Sequence, residues 1–273
     1  MLLPYVTVAL LGFAARAPPL ARVGCVAAAA SPRALRTAAP PEASTTAASR
    51  RVVVTDMDET LISKKSTGYI IKFLFMYHAY VRLFCFLWIG AILIPISKVS
   101  RTFAVRVLYF MAFRGLKVER AEKVAAELLP KLYVSDLQDP ATSAVLEADE
   151  AVVLTASPEF MARPWLGQYL GVPAANVYGA QIGVRNGRFT GVTGDLPIGQ
   201  KKVELLRACA ACAEGEGVEV TGYGDHPTDV PFLEACGRGV LVHELPPDVA
   251  GSCEYEPAST FDASRLEARP AAA

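Results

Sequence analysis

Two short carboxylate-bearing segments, far apart in the chain, have the residue types and flanks that phosphate chemistry needs. Asp56-Met57-Asp58-Glu59-Thr60-Leu61 follows the apolar run Val52-Val53-Val54-Thr55, and Gly224-Asp225-His226-Pro227-Thr228-Asp229 follows Val218-Glu219-Val220-Thr221. Each run is short and β-branched, as expected of a buried parallel strand, and the carboxylates come where that strand ends. In open α/β sheets ligands bind outside the carboxyl ends of strands. Asp56, Asp58, Asp225 and Asp229 brought together there would repel one another unless a cation sat among them. An all-oxygen ligand set of this kind suits Mg²⁺. The chemistry expected is metal-assisted work on a phosphate.

The elements that must position these groups are legible in outline. Ala151-Val152-Val153-Leu154-Thr155 reads as a further apolar strand, ending in a hydroxyl. Gly199-Gln200-Lys201-Lys202 opens a helical pattern carried by Val203, Leu205 and Leu206, and brings a cation. The order Asp-x-Asp, Thr, Lys, Gly-Asp-x-x-x-Asp resembles the haloacid dehalogenase (HAD) superfamily of aspartate-nucleophile phosphotransferases. Turn formation or helix capping would explain one such motif, not four in order. The resemblance implies an α/β fold: a parallel sheet flanked by helices, with a hydrophobic helical cap inserted after the first strand.

It also implies roles. Asp56 is the expected nucleophile, forming an aspartyl-phosphate. Asp58 is the expected proton donor to the leaving oxygen and later the base for water. Two residues apart on an extended segment, they point to the same side. Thr155 would donate to a phosphoryl oxygen, and Lys201 would neutralise charge on the phosphoryl group. Lys202 competes for that place; Lys201 is preferred because the resembling pattern sets the cation just before the helix. Asp225 would bind Mg²⁺ directly and Asp229 would bind it through water or orient the other ligands, with Asp56 and Asp58 completing the metal set. Glu59 departs from the family, which commonly has Gly there.

The 273-residue chain has 27 basic and 27 acidic side chains, so net charge is zero and nothing suggests a nucleic-acid partner. The first 41 residues hold four Arg and no Asp or Glu, a targeting composition. The divisions expected are a targeting or disordered segment over 1–50, core over 51–67 and 136–245, cap over 68–135, and a mobile Pro- and Ala-rich tail over 246–273. Cys209 and Cys212 lack a second ligand pair and read as packing residues, not a zinc site. No disulfide framework is suggested.

The cap insert is unusually apolar. Between Lys72 and Lys98 the strongly polar side chains are His78, Arg82 and Ser97. The uncharged run from Leu83 to Ser97 is short of the ~20 residues that a bilayer span takes. With Tyr69, Tyr77, Tyr80 and Trp88 near its margins it reads as an interfacial helix, a re-entrant hairpin or a buried cap helix. Glu119–Lys131 reads as an amphipathic helix with Val124, Leu128 and Leu129 on one side. The alternation from Val177 to Val192 around Asn186-Gly187 reads as a β-hairpin.

Phe113-Arg114-Gly115-Leu116-Lys117-Val118, Leu129-Pro130-Lys131-Leu132-Tyr133, Val153-Leu154-Thr155-Ala156-Ser157-Pro158 and Asn186-Gly187-Arg188-Phe189-Thr190-Gly191 resemble the amino-terminal HAD-like domain of land-plant-type glycerol-3-phosphate acyltransferases. In that family the domain is a phosphatase on acylated glycerol phosphate or has lost its catalytic residues. This chain keeps the catalytic set. The acyltransferase half is expected to be absent: His243 and Asp248 have its motif spacing, but 25 residues follow Asp248. The reading is therefore a Mg²⁺-dependent phosphomonoester hydrolase acting on a glycerol-phosphate or lysophospholipid. Its alternatives are an accessory, non-catalytic membrane module related to the acyltransferase, and a phosphoserine-type metabolite phosphatase. The expected partners are a phosphorylated small molecule or lipid and a membrane surface met through the cap, at the endoplasmic reticulum or a plastid.

Overall fold

The computed structural model describes residues 49–97, 99–212 and 217–267. The expectation of a targeting segment over 1–50 therefore lies almost wholly outside the described residues.

β1 (Arg50–Thr55) is the middle of a six-stranded parallel sheet. It is followed by five helices: α1 (Ser66–Met76), α2 (Tyr80–Ser97), α3 (Arg101–Phe113), α4 (Val118–Glu127) and α5 (Pro130–Val134). After the two-residue β2 (Gln138–Asp139) and α6 (Ala141–Glu147) the chain returns to the sheet as β3 (Glu150–Pro158). Next come α7 (Glu159–Trp165), β4 (Val177–Ala180), the hairpin β5 (Ile182–Arg185) and β6 (Arg188–Thr193), and α8 (Gln200–Ala208). β7 (Val218–Gly224), α9 (Val230–Glu234), β8 (Arg238–Leu241), α10 (Pro247–Ala250), β9 (Glu254–Tyr255), β10 (Ser259–Thr260) and α11 (Ser264–Glu267) follow in the remaining described residues.

The sheet order is β4-β3-β1-β7-β8-β9. The chain winds outward from β1 to β3 and β4, then crosses to β7 and winds the other way. The direction reverses beside β1, which is where an open sheet leaves a crevice at its carboxyl edge. Alternation divides the strands between two cores. Val52, Val54, Val152 and Leu154 bury against Val203, Leu206, Phe232 and Leu233 on one face. Val53 and Val153 face the larger core shared with the cap. There Tyr69 of α1 stacks on Tyr133 of α5 at 4.1 Å, and Tyr133 stacks on Trp165 of α7 at 4.9 Å.

Three expectations are corrected. The helix expected over Glu119–Lys131 ends at Glu127, because Pro130 has no N–H to continue the ladder and instead opens α5 at its first turn. Leu129 is buried, while Leu128, expected beside it, faces solvent. The hairpin expected from Val177 begins at Ile182; Val177–Ala180 pairs in parallel with β3 as the edge of the main sheet. Its turn is as expected, with Asn186 and Gly187 at φ 51° and 68°, the left-handed pair that a two-residue hairpin demands. The tail expected to be mobile carries regular structure over 246–267. β9 adds in parallel to β8, and β10 pairs with β2. Phe261 is buried, and Arg238 holds Glu254 and Glu256, each at 2.6 Å. The physical reason is the open edge of β8, whose unpaired backbone groups take a further strand whatever its Pro and Ala content.

Candidate active site

Register brings the scattered motifs together. Thr55 aligns with Val153 of β3 and with Tyr223 of β7, so the residues that follow in all three strands meet at one edge. Asp56 N donates to Tyr223 O at 2.9 Å, which ties the first motif to the last. Asp56, Asp58, Thr155, Lys202, Asp225 and Asp229 line one small cavity of about 20 Å³, room for a water-sized group. Gly224 is required at this edge: a Cβ there would come within 2.8 Å of Asp229 Cβ. Without a side chain at 224, Asp229 tucks under the end of β7.

Lys202, not Lys201, carries the cation into the site, which corrects the sequence expectation. Lys202 Nζ donates to Asp56 Oδ1 and to Asp229 Oδ1, both at 2.7 Å, and is buried. Lys201 points outward and pairs with Glu204 at 2.8 Å and Asp195 at 3.4 Å. One residue is 100° of helix rotation. Lys202 shares the buried face of α8 with Val203 and Leu206, whereas Lys201 shares the solvent face with Glu204. The i, i+4 relation of Lys202 to Leu206 was the available signal.

Asp58 also differs from its expected double role. Its carboxylate does not join the metal-ligand cluster, which comprises Asp56, Asp225 and Asp229 with one oxygen each within 4.8 Å of the others. Asp58 instead accepts from Ser66 N at 2.8 Å, from Ser66 Oγ at 2.5 Å and from Ser157 Oγ at 3.2 Å. The two serine hydroxyls also touch each other. Groups at the start of α1 and on β3 satisfy this carboxylate and hold it apart from the Asp56–Asp225–Asp229 cluster. Ser66, Ser157 and Thr60, whose hydroxyl donates to Asp225 Oδ1 at 3.2 Å, are site residues that the motifs did not single out. Ser157 lies in the quoted β3 segment, two residues past Thr155, and its N–H donates to Thr155 Oγ1 at 3.0 Å.

The electrostatics follow from burial. Asp56 is pushed well above the carboxylate range by desolvation, with Asp229, Asp225 and Asp58 adding to the rise and Lys202 opposing it. Asp225 is raised to about 6, by burial first and then by Asp229 and Glu59. Asp58 is raised by burial, against the hydrogen bonds from Ser66 and Ser157. Burial acts against the Lys202 ammonium, but Asp56 and Asp229 outweigh it and its pKa rises. In this cluster three carboxylates, two buried and one half-buried, face the single buried ammonium of Lys202. That shortfall of positive charge, on all-oxygen donors, fits a divalent cation such as Mg²⁺ shared by Asp56, Asp225 and Asp229.

Residues 53–234 match the haloacid dehalogenase-like hydrolases. The chain belongs to that family. Two relatives place it further. The glycerol-3-phosphate acyltransferase RAM2 of Petunia hybrida is 33% identical over 150 residues, 54% of this chain and 30% of the petunia protein. This HAD chain thus spans less than a third of that relative's length. The inhibition of morphological differentiation protein of Streptomyces azureus is 30% identical over 219 residues, 74% of this chain and 73% of its own. Among solved structures, a phosphoserine phosphatase with a phospho-aspartyl intermediate analogue matches with a TM-score of 0.52 at 16% identity, covering 76% of this chain and 92% of that one. At that identity the likeness is one of fold, the fold of HAD phosphatases. Glu59 sits where the HAD resemblance puts Gly. It takes the left-handed φ of 59° that Gly would adopt without strain, and its carboxylate pairs with Lys65 at 3.2 Å.

Proposed function

We propose that this HAD hydrolase is a Mg²⁺-dependent phosphomonoester hydrolase working through an aspartyl-phosphate, on a glycerol-phosphate or lysophospholipid substrate. The observation that carries the reading is Asp56: a buried carboxylate at the end of the central strand, held 2.7 Å from Lys202 and open to a cavity shared with Thr155 and Asp58. Asp56 Oδ attacks phosphorus; a P–O(Asp) bond forms and the P–O(ester) bond breaks. Asp58 gives its proton to the departing alkoxide, a task suited to a carboxyl raised by burial. Asp58, now a carboxylate, then takes a proton from water, whose oxygen bonds to phosphorus as the P–O(Asp) bond breaks and phosphate leaves. Ser66 and Ser157 keep Asp58 in place through both transfers. Thr155 Oγ1 and Lys202 Nζ bear on the phosphoryl oxygens. Mg²⁺ on Asp56, Asp225 and Asp229 would supply charge neutralisation for the phosphoryl group.

A lipid-linked substrate and contact with a membrane surface are supported by α2. It has a mean hydropathy of 1.9 over 18 residues, and 11% of it is buried. Phe84 and Trp88 are 63% and 62% exposed. Large aromatic and aliphatic groups on an open face fit an interfacial helix. The similarity to a glycerol-3-phosphate acyltransferase over its HAD-like region points the same way. The test is phosphate release from a panel of p-nitrophenyl phosphate, glycerol phosphates, lysophosphatidate and phosphoserine, with Mg²⁺ and with chelator. Asp56→Asn should lower turnover by about a thousandfold or more while the protein stays folded. Wild-type turnover in Asp56→Asn, or phosphate release indifferent to chelator, would overturn the mechanism.

A further inference from the structure

A second, much larger cavity, of about 770 Å³, runs from the aspartates into the cap. It shares Asp58, Arg101, Ala156 and Asp225 with the small cavity at Asp56. Toward the cap its lining is mostly apolar, with Ile70 of α1, Phe86 and Leu93 of α2, and Ala104 and Leu108 of α3, while Glu59, Lys65, Ser66 and His226 add polar groups to the lining. The small residue Gly90 lets α2 and α3 pack closely against each other. A Cβ added at Gly90, which lines the cavity, would already be in contact with Leu108 Cδ2 at 3.8 Å, so a longer side chain at 90 would take up cavity space. Phe86 and Leu93 are the buried residues of α2. Leu87 and Ile94 line the same cavity yet are 49% and 64% exposed. On its α2 side the cavity is thus bordered by apolar residues that also reach the exposed surface. Arg101, at the first turn of α3, lines both cavities and forms no ion pair among the described residues. A cation at the junction favours a guest that is anionic at that end and apolar along the rest.

We infer that the cavity enclosed by α1, α2 and α3 is a chain channel. It takes the aliphatic chain of a phosphomonoester whose phosphorus lies at Asp56, admits it along the exposed apolar border at α2, and so makes the cap the element that sets chain-length preference. The inference rests on the phosphatase reading and extends it. A chain that slides from an apolar surface into this channel never has to be exposed to water, which removes the main obstacle to hydrolysing a membrane-borne phosphate.

The test uses the full chain with Mg²⁺ and the n-alkyl phosphates from ethyl to decyl, below the concentrations at which they form micelles. Wild-type kcat/KM should rise about fourfold per methylene until the channel is filled, then level. Ala104→Phe from one wall and Gly90→Leu from the other should each lower the decyl-to-ethyl ratio by about tenfold or more. The ratio is read so that a general loss of activity cancels, and the wild-type series decides should both variants misfold. A flat wild-type series, or an unchanged ratio in folded variants, overturns the channel. Decanoyl glycerol phosphate beside decyl phosphate tells whether a glycerol linker sits between chain and phosphate; preference for either supports the channel. If neither alkyl phosphates nor p-nitrophenyl phosphate are hydrolysed, the phosphatase reading fails and calorimetry decides the channel on its own. Decyl phosphate should then still bind at least about tenfold more tightly than ethyl phosphate, and equal affinity overturns the inference.

Discussion

The carboxyl edge of the sheet and the outer face of α2 break the same rule in opposite directions. At the sheet edge, Asp56, Asp229 and Lys202 are charged side chains buried in the core. On α2, Phe84, Trp88 and Ile92 are apolar side chains left in the open. Proteins bury charge and expose large apolar groups at a cost, so each departure points to something the isolated chain lacks. The excess of carboxylates over the Lys202 ammonium at the sheet edge calls for a cation. The bare helix face calls for an apolar surface. The small cavity at Asp56 and the larger one beside α2 share Asp58, Arg101, Ala156 and Asp225, so one amphiphilic molecule would answer both.

The largest test of this contrast is the lysine pair. Lys202→Met leaves Asp56 and Asp229 without their shared partner, and should cost about 3–5 kcal/mol of stability together with a hundredfold or greater fall in turnover, of order 10²–10³. Lys201→Met removes pairs that are solvent-exposed, and should change stability by less than about 0.5 kcal/mol and turnover by less than about twofold. Thermal unfolding and steady-state rates on both variants check this, and equal effects would return the role to Lys201.

At the other end of the contrast, Phe84→Ser combined with Trp88→Ser should weaken liposome binding by several kcal/mol at most, at about 25 cal/mol per Å² of apolar area. Co-sedimentation of the wild type should persist at high salt, because area rather than charge drives it. A wild type that stays wholly in the supernatant at low and high salt would sink the membrane reading and leave the sheet edge untouched.

The buried carboxylates also predict a pH dependence. Folding raises Asp225 from 3.8 to about 6, so between those values the folded protein keeps a proton that the unfolded chain has released. Stability from this site is then present at the acid end and declines as pH rises through the window. In metal-free protein, unfolding free energies of the wild type should fall relative to Asp225→Asn by on the order of 2 kcal/mol between about pH 4 and pH 7. Mg²⁺ should remove most of that difference. A pH-independent difference would mean that the cluster is better compensated than its charges imply.

The smallest effect is at Glu59. Its left-handed backbone strains any side chain, and its charge adds to the repulsion on Asp225. Glu59→Gly should stabilise the protein by about 1 kcal/mol in urea unfolding, since the exposed pair with Lys65 returns little. Destabilisation would show that the Glu59–Lys65 contact organises the turn.

Much of the fold was legible because it depends on local pattern. The β-branched runs at Val52, Val152 and Val218, each followed by its polar residue, marked three adjacent strands and the edge where their side chains meet. Asn186-Gly187 marked a turn that its φ values require. The carboxylates Asp56, Asp225 and Asp229 could be grouped from their places alone, since parallel strands end together. What only the tertiary structure decided turns on direction and on partners distant in sequence. Lys201 and Lys202 differ by a 100° rotation whose sense depends on which face of α8 meets the sheet. Asp58 left the metal cluster because Ser66 and Ser157, from two other elements, offered it three hydrogen bonds. The tail became strand because β8 had an open edge, a property of β8 and not of the tail. The run from Leu83 to Ser97 announced an apolar helix. That it would stand outside the core with a cavity behind it depended on where α1 and α3 had already filled the space over the sheet.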